Sequence, residues 1–231
     1  MPNLKYVGLF LIIIIFAILF IPKIIDRVST NTMVESNRSQ SAEPLSYIVL
    51  NGEAKKVPSF AFTNQDSLFV SNEDFSGKVY IAEFFFTSCP SICQMMNKNM
   101  KLIEGQYGTR GDFGIASFTI DPSNDTPTVL KKYAEDYEVF SQNWHFLTGE
   151  KNAIYSLANT GFNIFASVNP QVEGGFEHQG YFALIDKKGF IRSRTDQFGN
   201  PIVYYMGLDK ENVEVQEVDM LIEDIKKLLN E

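Results

Sequence analysis

The chain has 231 residues, 45% hydrophobic and 13% aromatic, enough apolar material for one globular domain with a sizeable core plus an appendage. Its 28 acidic and 20 basic side chains give a formal charge of -8, which argues against a nucleic-acid binder, whose affinity rests on cationic contacts to phosphate. Two cysteines are too few for a disulfide scaffold, and no CxxC…CxxC or HExxH zinc spacing occurs.

Residues 7–21 (VGLFLIIIIFAILFI) are apolar without interruption, and Pro22, Lys23, Ile24 and Ile25 follow. Counted through Ile25, the run reaches the length that crosses a hydrocarbon core of roughly 30 Å, with Lys23 snorkelling toward the headgroups. A buried core helix and a cleaved signal peptide are the competing readings. No small-x-small cleavage site follows and no cysteine is there for lipidation, so residues 1–25 read as an uncleaved, single transmembrane anchor. Lys5 before the run and Lys23 and Arg27 after it leave the positive-inside count undecided. Residues 26–45, polar and rich in Ser and Asn, read as a flexible tether. Residues 46–231 then form one domain, with no internal repeat or second linker to divide it.

Within that domain short apolar runs alternate with longer amphipathic stretches, the mark of an α/β fold. Strands are expected at 78–87, 113–120 and 144–148. Helices are expected at 93–107, from Thr126 as N-cap and Pro127 as first helical residue to about 137, at 151–160 and at 215–229; a hairpin pairs 181–186 with 190–195. Two strand-helix pairs, then a hairpin and a closing helix, are the order of a thioredoxin-like fold, a central mixed sheet flanked by helices.

The cysteines, Cys89 and Cys93, stand where the first of these strands meets its helix, in FFFTSCPSIC. They can be a structural disulfide, a redox couple or two thirds of a soft-metal site. Parallel strands bring their ends to one sheet edge, so Cys89 and Pro90 should neighbour Asp121, which follows the second strand. A spacing of four puts both sulfurs on one helical face, about 5–6 Å apart at Cβ, within reach of a disulfide. A helix amino terminus favours thiolate, the form that attacks disulfides and binds metal. Inert buried thiols are the bland alternative, and the polar Thr87, Ser88 and Ser91 count against it.

A soft-metal site needs a third donor, and the chain has two histidines. His145, at the start of an apolar strand, reads as structural. His178, in VEGGFEHQGYFALID, follows a Gly174-Gly175 pair and is open to two readings, a ligand delivered over the sheet edge or a surface-loop histidine. Met95, Met96 and Met100 are soft donors too, but their helical spacing beside apolar residues reads as core. Asp121 can ligate, cap or orient its neighbours, or simply end a strand before Pro122.

Three stretches together, FxFTxCPxxC, residues 121–133 (DPSNDTPTVLKKY) and HxxxFxLIDxxG from His178 to Gly189, make the chain similar to the Sco/SenC family of membrane-anchored copper chaperones. The resemblance implies a thioredoxin-like fold, copper ligation by Cys89, Cys93 and His178, a supporting acidic role for Asp121, and delivery of copper to the binuclear centre of cytochrome c oxidase. It also implies a domain on the periplasmic side of a bacterial inner membrane. Two thiolates and an imidazole suit Cu(I), with Cu(II) also to be considered, whereas structural zinc wants four closed ligands. The chain departs from the family at Ser91 and Gln94, where CPDICP is common, and has a longer segment over 197–214. The second reading is a membrane-anchored thiol-disulfide oxidoreductase with Cys89 attacking and Cys93 resolving; a peroxidase variant would use the Thr87-Ser88-Cys89 stretch. Thioredoxins, however, use a tighter CxxC and a proline where this chain has His178-Gln179-Gly180.

Overall fold

The computed structural model describes residues 44–231 except 197, together with Ile14, Phe16, Ile18, Phe20, Ile21 and Pro22, which are helical and exposed. The chain divides into two compact units, residues 1–39 and 40–231. Most of the expected span and nearly all of the expected tether lie outside the described residues. Among the described residues, no helix is long and apolar enough to cross a membrane.

The second unit is built on thirteen short strands and four α-helices: β1 (Ser46–Tyr47), β2 (Val49–Leu50), β3 (Glu53–Ala54), β4 (Ala61–Asn64), β5 (Phe69–Ser71), β6 (Val79–Phe85), α1 (Ile92–Tyr107), β7 (Phe113–Thr119), α2 (Pro127–Asp136), β8 (Trp144–Thr148), α3 (Lys151–Ser156), β9 (Ala166–Val168), β10 (Phe176–His178), β11 (Tyr181–Ile185), β12 (Ile191–Ser193), β13 (Tyr205–Met206) and α4 (Glu217–Asn230). The main sheet runs β1-β12-β11-β6-β7-β8-β4-β5, with β13 beside the first half of β11. β6, β7 and β8 are parallel and the remaining pairs antiparallel. This is the mixed sheet of a thioredoxin-like fold.

β6 and β7 are buried at every residue, as central parallel strands covered on both faces must be. The two crossovers through α1 and α2 advance across the sheet in one direction, so right-handedness puts both helices on one face. There Met96, Met100 and Ile103 of α1 are fully buried, and Tyr133 of α2 packs its ring on Phe85 and Phe146. The opposite face carries an aromatic layer in which Phe84, Phe118, Phe60 and Phe162 meet at ring separations of 5.2–5.6 Å. α4 buries Val218, Leu221 and Ile225, and its buried Asp224 accepts from Arg194 Nε at 2.6 Å and from the Tyr205 hydroxyl at 2.7 Å.

The helix expected over 151–160 is α-helical only to Ser156 and continues as a π-turn to Phe162, closed by Asn163 at φ 57°. Gly161 sits against Pro58 there, where an added Cβ would meet the ring at 3.1 Å. The segment expected as a glycine-rich loop before β11 contains instead the β9/β10 hairpin, with His178 paired to Ala166 and Phe176 to Val168.

Candidate metal centre

Cys89 lies in the turn between β6 and α1, its N–H donating to Phe86 O at 3.2 Å. Ser91, the N-cap of α1, makes no capping bond through its side chain. The Cys93 N–H points at the Cys89 sulfur instead, 3.4 Å away. Cys89 thus supplies the acceptor that an N-cap side chain ordinarily provides, and the helix terminus stabilises negative charge on it. The Cys93 thiol, donating onto Cys89, is the main influence holding Cys89 down to about 3, against the opposing effect of burial; His178 and the Ser91 and Cys93 N–H groups add to it. The same bond, with burial, pushes Cys93 well up. The bond thus favours thiolate on Cys89 and thiol on Cys93.

His178 reaches the pair from β10. Its Nε2 is 3.3 Å from Cys93 Sγ, and its Nδ1 is 3.3 Å from Gln179 O. A carbonyl only accepts, so the contact with Gln179 O calls for the proton on Nδ1, and Nε2 is the ring nitrogen that faces the sulfurs. The ring stands edge-on to Phe86 at 5.9 Å, and Phe176 packs on Phe86 at 5.2 Å. Gly174 lets the hairpin approach: at φ +86° it lies where a Cβ would meet Pro90 Cδ at 2.9 Å and Phe86 Cε2 at 3.1 Å. Gly175, φ +78°, has nothing within 4 Å of that position.

The ligand atoms of Cys89, Cys93 and His178 all lie within 4.8 Å of one another, the one such cluster of three or more His, Cys, Asp or Glu residues among the described residues. A first-row metal with bonds of about 2.0–2.3 Å to nitrogen and sulfur fits among them. Two sulfurs and an imidazole are soft donors, suited to copper in its lower oxidation state. Neither cysteine is in a disulfide in this structure.

Asp121 is buried at the end of β7, with its carboxylate taking the Asn124 amide at 2.5 Å and its N–H donating to Thr119 Oγ1 at 3.0 Å. The carboxylate that reaches the cysteine turn belongs to Asp125, four residues on, which accepts from Thr87 N at 3.1 Å. His145 stacks edge-on to Phe75 and lies 3.4 Å from the Asn64 amide, as a structural histidine does. Sequence reasoning also passed over Glu83, the one charge in the run VYIAEFFF. It is fully buried, accepts from Ser117 Oγ at 2.7 Å through Oε1 and leaves Oε2 without a partner. Burial pushes its carboxyl up to about 7.

Fold and site define a thioredoxin-like domain carrying two thiols and an imidazole at the carboxyl ends of its parallel strands. The SCO1/SenC family model matches residues 49–211, and the chain belongs to that family. It is 35% identical over 154 residues to the SCO1 protein homolog of Bacillus subtilis, covering 66% of this chain and 75% of that one. The solved structure of BsSco, a member of the Sco family of cytochrome c oxidase assembly proteins in which a disulfide switch has been identified, superposes with a TM-score of 0.60 at 33% identity, over 75% of this chain and 93% of that one. Bradyrhizobium japonicum ScoI, solved with copper bound, shares the fold at 20% identity and a TM-score of 0.58, over 75% and 99% of the two chains.

Proposed function

We propose that this protein is a copper metallochaperone that holds copper between Cys89, Cys93 and His178 and delivers it to the binuclear copper centre of a cytochrome c oxidase. The observation that carries this reading is the convergence of two sulfurs and an imidazole nitrogen within 4.8 Å, on a chain of the SCO1/SenC family. The donors are soft and few, with both cysteines buried and His178 only half-buried. Three donors leave room for an incoming ligand of the receiving protein, which a closed four-ligand site would not. Membership of the family gives the oxidase reading its support, since BsSco belongs to the Sco family of oxidase assembly proteins.

The apolar run from Val7 to Ile25 serves in this reading as the anchor, with residues 26–45 as tether and the domain on the periplasmic side of a bacterial inner membrane. Asp121 acts in support through its carboxylate, which takes the Asn124 amide. Metal content after anaerobic purification of the full chain in detergent tests the reading: one copper per chain, lost when both cysteines are replaced by serine, is expected. Zinc at full occupancy, or no metal after copper reconstitution, would refute it.

A specific observation favours a second activity at the same residues. The pair is asymmetric: the Cys93 N–H at the start of α1 points at the Cys89 sulfur, 3.4 Å away, which favours thiolate on Cys89, the arrangement of an attacking and a resolving cysteine. Thiol-disulfide exchange with partner cysteines is accordingly the alternative function, compatible with copper transfer because receiving thiols must be reduced.

A further inference from the structure

The acidic stretch after β7 provides a carboxylate outside the donor set. Asp125 is fully buried, and three donors converge on it. Its Oδ2 accepts the Thr87 N–H at 3.1 Å and the Thr119 hydroxyl, and its Oδ1 accepts the Thr87 hydroxyl at 2.5 Å. Two of the three bonds therefore come from one residue, which fixes the orientation of Thr87 as well as its distance. Thr87 stands two residues before Cys89.

A buried carboxylate is costly unless its lone pairs are filled, and a tie between strands does not require one. The β6–β7 ladder is complete through Phe85 and Thr119, with Ile120 N–H donating to Phe85 O at 2.8 Å. Asp125 takes over where that ladder stops and carries the connection into the turn. It is itself held by its N–H on Asp121 O at 2.9 Å and by Thr126, the N-cap of α2. Burial pushes the Asp125 carboxyl up, while the bonds from Thr119 and Thr87 draw it down.

We infer that Asp125 is a positioning residue for the copper centre: through Thr87 it sets the backbone and rotamer from which the 88–91 turn departs, and hence the place of the Cys89 sulfur relative to Cys93 and His178. This rests on the copper reading of the site. Thiolate donors have to be held to within about 0.5 Å for tight coordination, and loss of groups that orient ligands typically costs about 10- to 100-fold in metal affinity.

The test uses the full chain, reduced and purified anaerobically in detergent, with Thr87→Val, Thr87→Ser, Asp125→Asn and Thr119→Val. Three quantities are read: Cu(I) affinity by chelator competition, the energy of the thiolate-to-Cu(II) absorption band, and the thermal midpoint. Thr87→Val, which keeps the shape and loses the hydroxyl, is expected to weaken Cu(I) binding about 10-fold and to shift the band, while Thr87→Ser keeps both near wild type. Asp125→Asn should fall between, because the amide retains one acceptor for the Thr87 N–H. Thr119→Val removes a donor to the same carboxylate within β7, so it lowers the midpoint and leaves the band in place. If Asp125→Asn does not fold, Thr87→Val decides. Wild-type affinity and an unmoved band in Thr87→Val, on a wild type that binds copper, would overturn the inference alone. A wild type that binds no copper would overturn the copper reading and this inference with it.

Discussion

At the scale of single residues, the site is organised by where protons sit. Copper needs both sulfurs deprotonated, and the bond between them favours thiolate on Cys89 and thiol on Cys93. Loading Cu(I) at pH 7 is therefore expected to release about one proton per copper, so affinity should rise about tenfold per pH unit; a titration in weak buffer with a pH indicator reads this, and release near zero or near two would contradict the assignment. Iodoacetamide at pH 5 should modify Cys89 in preference to Cys93, a difference that peptide mass spectrometry resolves. Glu83 gives a second expectation. Its carboxyl is raised from 4.5 to about 7 by burial, so its contribution to stability is present at acid pH, below the value of an unfolded Glu, and is lost as pH rises through about 7. At about 1.36 kcal/mol per unit, the loss is on the order of 3 kcal/mol by pH 8. Denaturant titrations should show wild type losing stability relative to Glu83→Gln as pH rises from about 5 to about 8; a difference between the two proteins that does not change with pH would place the pH dependence elsewhere.

At the scale of elements, the β9/β10 hairpin decides whether three donors become one site. It brings His178 over the β6–α1 turn, and Gly174 is the point of closest approach. Gly174→Ala adds both the strain of a positive φ, about 1–2 kcal/mol, and a clash with Pro90 and Phe86; Gly175→Ala adds only the strain. Copper affinity should therefore fall about tenfold or more in Gly174→Ala, on the scale of a displaced ligand-orienting group, and remain near wild type in Gly175→Ala, with the thermal midpoint lowered in both and further in Gly174→Ala. Equal affinities would detach the hairpin from the site. This hairpin is also where sequence reasoning stopped short. The long elements were legible because their patterns are long: β6 and β7 are unbroken apolar runs, and Met96, Met100 and Ile103 mark a helical face. β9, β10 and β13 have two or three residues each, too few for a period to show, and pairing rather than propensity creates them. The cysteine pair was legible from its place at a strand-to-helix turn, and His178 as a possible third donor. Asp125 was not separable from Asp121, since only the folded turn shows which carboxylate meets Thr87.

For the whole molecule, the proposed function implies that the apolar amino-terminal run anchors the domain outside the cytoplasm. A reporter active only in the cytoplasm, fused after Glu231, should be silent, and strong activity would reverse the orientation. The central claim is that the three donors bind copper as a unit, and it separates from thiol-disulfide exchange at one residue. His178→Ala removes one donor of three while leaving both cysteines at the start of α1, so the most direct measurement is Cu(I) affinity by chelator competition, paired with disulfide reduction on the same preparations of wild type and His178→Ala. The account predicts a fall in copper affinity of about 10-fold or more, with dithiol activity largely kept. Copper affinity unchanged in His178→Ala would contradict it.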